Sequence, residues 1–219
     1  MSYEEVVARV ASAAARAGRK PAEVTLVAVS KAKPVSDIEA VYELGHRDFG
    51  ENRAQEMTEK AAVLPTDIRW HFISALQTNK ARLVRPITHL LHSMDRESLA
   101  GAWAKGNDLP PPVLLQVNTG QEPQKSGVMP AKARETLETI EDMGLEVLGL
   151  MAIPPITDDP EEQRPHFALL RTLRDDLARD HPSVEELSMG MTDDFEVAIE
   201  EGATMIRVGR AIFGPRVEH

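Results

Sequence analysis

Two hydrophobic periods alternate along this chain, and the alternation recurs from end to end. Short runs rich in valine, isoleucine and leucine read as buried strands. Between them, apolar residues spaced three and four apart read as amphipathic helices. Ser2 and Glu5 have capping-box spacing, and Val6, Val7, Val10 and Ala14 form one stripe, so a helix opens the chain. Gly18-Arg19-Lys20-Pro21 ends it. A strand follows over residues 24–30, and Ser36 with Glu39 predicts a second capping box for a helix ending near Gly45. A short strand over 47–50 leads to a helix over 51–62. Further strands are predicted over 68–73, 87–92, 112–117, 145–151, 186–188 and 204–208. Helical segments are predicted over 78–84, 95–105, 130–143, 159–178, 192–201 and 210–213. Asp159-Pro160 supplies a cap and a proline at the first helical position of one of them.

Eight strands are predicted, each followed by a helix or helical turn, after one extra N-terminal helix. Such interleaving predicts a parallel sheet with crossover helices. Eight units close as an α/β fold of the (β/α)8 TIM-barrel type, read here as a single domain over residues 1–219. The alternative is an open, doubly wound sheet. Its dinucleotide-binding version lacks motif support, because no G-x-G-x-x-G follows the first strand.

Composition narrows the chemistry. With no cysteine, disulfides, thiolate catalysis and cysteine-bound zinc are excluded. The seven histidines form no H-E-x-x-H or similar close pair, so a metal site has little local support. No apolar run approaches the ~20 residues of a membrane span. Met1-Ser2-Tyr3-Glu4-Glu5 lacks the basic flank of a signal peptide, and a cytoplasmic location is expected. A net charge of -10 and an aromatic content of 4% disfavour nucleic-acid binding.

In a (β/α)8 barrel the ligand site lies at the C-terminal ends of the strands. The first strand, Thr25-Leu26-Val27-Ala28-Val29-Ser30, delivers Lys31 there. A lysine in that position forms an imine with an aldehyde, contacts a phosphate, or lies solvated at the strand end. Lys33 competes for each role, since alternation places both side chains on one face. Ser188-Met189-Gly190-Met191-Thr192 and Arg207-Val208-Gly209-Arg210 close the last two strands. Thr192 is expected to cap the next helix, and barrels often hold phosphate in this quarter. Asp193 and Asp194 read as first-turn helix residues. An imine-forming lysine beside a phosphate pocket suits pyridoxal phosphate or a sugar phosphate. Asn52 orients a ring hydroxyl or caps a helix. His71, in an apolar strand, reads foremost as a hydrogen-bonded structural histidine. Met151, Met189 and Met191 wall a ring or simply fill the core. Lys125-Ser126-Gly127 is an anion-binding turn or a plain surface loop.

These segments together resemble a known family, the YggS/PROSC pyridoxal phosphate homeostasis proteins. The resemblance rests on Ala28-Val29-Ser30-Lys31-Ala32-Lys33-Pro34, Phe49-Gly50-Glu51-Asn52, Trp70-His71-Phe72-Ile73, Leu76-Gln77-Thr78-Asn79-Lys80 and Lys125-Ser126-Gly127. It continues through Gly149-Leu150-Met151-Ala152-Ile153-Pro154, Ser188-Met189-Gly190-Met191-Thr192-Asp193-Asp194 and Arg207-Val208-Gly209-Arg210 to Gly214. It implies a barrel of the alanine-racemase N-terminal type, binding pyridoxal 5'-phosphate as a Schiff base on Lys31 rather than Lys33. It places Ser188, Met189, Gly190, Met191, Arg207, Gly209 and Arg210 near the phosphate, with Asn52, His71 and Met151 shaping the ring pocket. Arg210 departs from the small or hydroxyl-bearing residue common at its position; either its side chain or its amide meets the phosphate.

The function so implied is non-catalytic: a monomeric protein of vitamin B6 and amino-acid homeostasis. Its expected partners are pyridoxal phosphate, related B6 vitamers and, transiently, apo-enzymes that use the cofactor. No membrane or nucleic acid is expected. The alternative is a small pyridoxal-phosphate enzyme with weak amino-acid racemase activity. The racemases it resembles carry a second, β-rich domain with a catalytic tyrosine, whereas Tyr3 and Tyr42 fall on early helices here. An imine-forming aldolase and a partner-binding module are the remaining classes. For the last, residues 154–160 and the C-terminal segment are the candidate docking segments.

Overall fold

The computed structural model describes residues 2–214. The end of the C-terminal segment, residues 215–219, lies outside the described residues. The fold opens with α1 (Tyr3–Arg16). Ser2 Oγ accepts the Glu5 amide while Glu5 Oε2 accepts the Ser2 amide, the reciprocal box the spacing predicts. Eight βα units follow in strict order. They are β1 (Thr25–Val29), α2 (Val35–Glu43), β2 (Asp48–Glu51), α3 (Ala54–Ala61), β3 (Arg69–Phe72), α4 (Ala81–Val84), β4 (Thr88–Met94) and α5 (Glu97–Trp103). The second half comprises β5 (Val113–Gln116), α6 (Ala133–Asp142), β6 (Val147–Met151), α7 (Arg164–Leu177), β7 (Glu186–Ser188), α8 (Phe195–Glu200), β8 (Met205–Val208) and α9 (Arg210–Phe213).

All strands are parallel, and β8 pairs with β1 to close the barrel, with Val27 opposite Arg207 and Ala28 opposite Val208. Both faces of the sheet are covered, which is why the strands read as continuous apolar runs rather than as alternation. Outward-facing Phe49, Leu91, Leu115, Leu150 and Ile206 belong to the main core, shared with Trp103, Phe167 and Phe195 of the helices. Leu90, Leu114, Met151 and Met205 form a smaller separate cluster. The extra helix α1 packs beside α8, where Arg9 meets Glu196 at 2.7 Å and lies over the Phe195 ring.

Three local expectations are corrected. The Ser36–Glu39 box does not form. Extended Pro34 already occupies the helix boundary, so Ser36 falls inside the first turn. Thr192 does not cap α8. Asp194 is the boundary residue, and its carboxylate accepts the Met191 amide, turning the chain before the helix begins. Glu51 ends β2 rather than starting a helix, and α3 begins only at Ala54.

Candidate functional site

A cavity of about 1160 Å³ opens at the C-terminal ends of the strands. Lys31 reaches its wall from the turn after β1, Asn52 from the end of β2, and Ile73 and Ser74 from the end of β3. Lys125 comes from the β5–α6 connection, and Ile153, Pro154 and Pro155 from the segment after β6. Met191, Thr192, Asp193 and Asp194 follow β7; Arg207 belongs to β8, with Gly209 and Arg210 just beyond it.

The two competing lysines are held differently. Lys31 is half-buried in the cavity wall. Lys33 also lines the cavity, but its ammonium donates to the Phe213 carbonyl at 2.6 Å and ties the β1–α2 turn to α9.

Arg207 is 4% exposed at the cavity floor. Its Nη1 donates to Ser188 Oγ at 2.5 Å and its Nη2 to the Ala152 carbonyl at 2.9 Å. Burial lowers its pKa to about 10, against the pull of Asp194, so it remains charged at neutral pH. Ser188 begins a line of hydrogen bonds through the barrel. Ser188 Oγ meets His92 Nδ1 at 2.8 Å, His92 Nε2 meets His71 Nδ1 at 2.9 Å, and His71 Nε2 meets Asp48 Oδ1 at 3.1 Å. The chemistry of the ends fixes the two outer bonds. A guanidinium only donates and a carboxylate only accepts. Arg207 therefore donates to Ser188 and His71 Nε2 donates to Asp48, while the two inner bonds follow the tautomers of His92 and His71. Burial, then His71 and Arg207, push the His92 pKa well below its ordinary value, so its ring is neutral. Burial opposes ionisation of Asp48, but hydrogen bonds from His71 and Arg69 outweigh it and hold the carboxyl well below the usual range.

Not every expected residue reaches the cavity. Lys31, Asn52, Met191, Arg207, Gly209 and Arg210 line it. Ser188 lies fully buried behind Arg207. His71 lies off the wall, engaged by Asp48 and His92 in the manner of a structural histidine. Met151 belongs to the small apolar cluster with Leu90, Leu114 and Met205. Met189 is a correction: alternation along the strand turns its side chain away from Ser188 and into the main core beneath the helices. Gly190 acts through its backbone. Its φ is 92°, and an added Cβ would lie 2.5 Å from Ala198 Cβ and 3.0 Å from Phe195 Cα. Gly209 is similarly close-packed, with an added Cβ 3.0 Å from the Val29 carbonyl oxygen. Arg210 is exposed and ion-paired with Asp193 at the rim.

Three residues behind Lys31 were given no role from the sequence. Glu51 is fully buried, Lys60 is 5% exposed, and both join Glu56 in an ionic cluster. A signal was present. Met57, Lys60 and Leu64 have the spacing of one helix face, and Met57 and Leu64 are core residues, so Lys60 occupies a buried-face position.

The alanine racemase N-terminal domain model matches residues 2–217 of this chain. A pyridoxal phosphate homeostasis protein of Aquifex aeolicus is 44% identical over 217 residues, covering 96% of this chain and 95% of the relative. The protein of the same name from Escherichia coli K12 is 39% identical over 216 residues, covering 95% and 92%. Among solved structures, PipY of Synechococcus elongatus with PLP bound superposes with a TM-score of 0.80 at 37% identity, covering 95% of this chain and all of that one. Alanine racemase of Corynebacterium glutamicum, at 16% identity and a TM-score of 0.73, shares the fold, with 99% of this chain matching 63% of that one. Matched along nearly its whole length by relatives of one name and by one domain model, this chain belongs to the pyridoxal phosphate homeostasis proteins of the alanine racemase N-terminal domain family.

Proposed function

We propose that this chain is a non-catalytic pyridoxal 5'-phosphate-binding protein of vitamin B6 and amino-acid homeostasis. The observation that carries the reading is the convergence of Lys31 with Arg207, Gly209 and Arg210 on one cavity. The donor set fits the cofactor. An amine, two guanidinium groups and a second lysine, Lys125, surround space large enough for a phosphorylated ring. Asn52 Oδ1, buried without a hydrogen-bond partner in the same wall, suits a ring hydroxyl.

Bound pyridoxal phosphate supplies an aldehyde that condenses reversibly with a primary amine, releasing water. Lys31 is the proposed amine. Met191, Gly209 and Arg210 hold the phosphate end, Asn52 accepts from the ring hydroxyl, and Arg207 presents fixed positive charge at the floor. Ser188 orients Arg207, and Gly190 sets the path of the chain past it. His71 and Met151 support the barrel interior beneath the site.

The homeostasis names of the relatives favour a holding role over turnover. So does the placement of the tyrosines. Racemisation needs a second acid–base group opposite the first. Tyr3 bonds His46 and Tyr42 bonds Asp67, and neither lines the cavity. Transient contact with apo-enzymes, binding of related B6 vitamers, a monomeric state and a cytoplasmic location complete the proposal, by likeness to the family. No helix among the described residues is long and apolar enough to cross a membrane.

The test is an absorbance titration of wild type and Lys31→Ala with pyridoxal phosphate. Wild type is expected to develop a band near ~420 nm, the signature of the protonated imine, and the variant none. Absence of the band in wild type overturns the cofactor assignment. A band that survives in the variant moves the anchor to another lysine.

A further inference from the structure

The residues on either side of Lys31 are held by one buried ionic cluster. Ser30, fully buried at the end of β1, donates its hydroxyl to Glu51 Oε1 at 2.7 Å and accepts Lys60 Nζ at its carbonyl, also at 2.7 Å. Beyond Lys31, the Ala32 amide donates to Glu56 Oε1 at 2.6 Å. Lys60 joins the two sides, reaching Glu51 Oε1 at 2.6 Å and Glu56 Oε1 at 2.7 Å. Its three ammonium protons thus meet three acceptors.

Two features separate this cluster from ordinary packing. Ala32 has a φ of 56°, a left-handed conformation that a residue with a Cβ keeps only when its surroundings impose it. The turn also overhangs a cleft of about 680 Å³, lined by Ala32, Pro34, Glu56 and Lys60 among others. Among the described residues the turn is thus open on that side, and the hydrogen bonds to Glu56 and Lys60 restrain it. Stability alone is a poor reason for the arrangement. A buried ion pair gains little over apolar residues of the same shape, because desolvation offsets the attraction. Here Glu51 Oε2 is buried with no hydrogen-bond partner, which adds to the penalty.

We infer that Glu51, Lys60 and Glu56 are positioning residues, which hold the turn over Ser30, Lys31 and Ala32 so that the Lys31 amine meets the aldehyde in the cavity. This rests on the reading of Lys31 as the pyridoxal phosphate anchor. The cluster does not touch the cofactor space; it acts through the backbone on both sides of the lysine. A misplaced amine loses the condensation but leaves the phosphate and ring contacts intact, so the inference predicts a split between two ligands.

The experiment compares wild type and Lys60→Met in titrations with pyridoxal phosphate and with pyridoxine 5'-phosphate, which carries an alcohol in place of the aldehyde. Lys60→Met is expected to bind pyridoxal phosphate about 10- to 100-fold more weakly, the scale of a small misplacement of a reacting group. It is expected to bind pyridoxine phosphate as wild type does. Equal loss of both ligands, or loss of neither, overturns the inference. Glu56→Ala is the second variant, chosen because its side chain is partly exposed and its removal frees the Ala32 amide with less disturbance of the core. It keeps the test decisive if Lys60→Met does not fold: the same split in smaller measure is expected, and its absence overturns the proposal. If wild type forms no Lys31-dependent band, the underlying reading fails instead, and that outcome is read from the Lys31→Ala control before either cluster variant is compared.

Discussion

At the N-terminal end of the barrel, Asp48 takes two hydrogen bonds from Arg69, at 2.7 Å and 2.5 Å, and one from His71 at 3.1 Å. At the C-terminal mouth, Lys31, Lys33, Lys125, Arg207 and Arg210 share one cavity with Asp158, Asp193 and Asp194. One end pairs its charge at contact distance. Among the described residues, the other gathers five cations and three carboxylates around open space, Arg210 pairing with Asp193, in a chain whose net charge is -10. Cations grouped in this way favour an anion arriving from solution more than the sign of the whole molecule suggests. The contrast matches the general division in such barrels, in which one face serves stability and the other chemistry.

Gly190 is where that division breaks first, and it carries the largest expected effect on stability. It lies at the mouth, yet its left-handed backbone and its contact with Ala198 and Phe195 are packing constraints. Gly190→Ala is expected to lose about 2–4 kcal/mol in urea unfolding, from overpacking together with a strained backbone. A loss below about 1 kcal/mol would mean that α8 shifts easily, and that the glycine serves ligand approach alone.

Asp48 tests the other end. Its carboxyl is held below its ordinary pKa of 3.8, so its contribution is present above that value and is lost as pH falls through it towards the lower native value. Asp48→Asn is expected to lose about 1–3 kcal/mol at neutral pH, the range for a broken buried hydrogen-bond set. Its stability curve should also be flatter than that of wild type in acid. Pyridoxal phosphate affinity at neutral pH should hardly move. A matching loss of affinity would show that the line through His71, His92 and Ser188 couples the two ends, and the contrast between them would fall.

Arg210 gives the smallest effect. It is exposed and already paired with Asp193, so Arg210→Ala is expected to weaken pyridoxal phosphate binding only about two- to fivefold. The difference should shrink as salt is raised. No change even at low salt would assign the phosphate contact to the backbone and leave the side chain to Asp193.

Much of the fold was legible because it depends on local pattern. The Ser2–Glu5 box forms as its spacing predicts, and the strands lie within a few residues of the apolar runs. Where boundaries slipped, a neighbour outcompeted the expected cap: Pro34 over Ser36, and Asp194 over Thr192. The site was legible in part. Lys31, Asn52, Met191, Arg207, Gly209 and Arg210 gather at one cavity, as their strand-end positions suggested. Met189 fills the core, one of the two readings its residue type allowed, because alternation turns it away from its neighbour Ser188, with which the resemblance had grouped it at the phosphate. Lys60 was passed over because a lysine on an amphipathic helix is ordinarily solvated, and only its alignment with Met57 and Leu64 argued otherwise.

The sequence by itself determined the number, kind and order of the βα units and the delivery of a lysine to the end of the first strand. Those properties follow from periodicity and capping, which act over a few residues. The tertiary structure decided which side chains meet across the barrel. His92 finds Ser188 across 96 residues of chain, and Lys60 finds Ser30 across 30. Alternation sets the face of each residue within its own strand, but the height of one strand against another is set by the stagger needed to close the barrel. The line from Arg207 to Asp48 and the cluster around Lys31 exist only at that closed register.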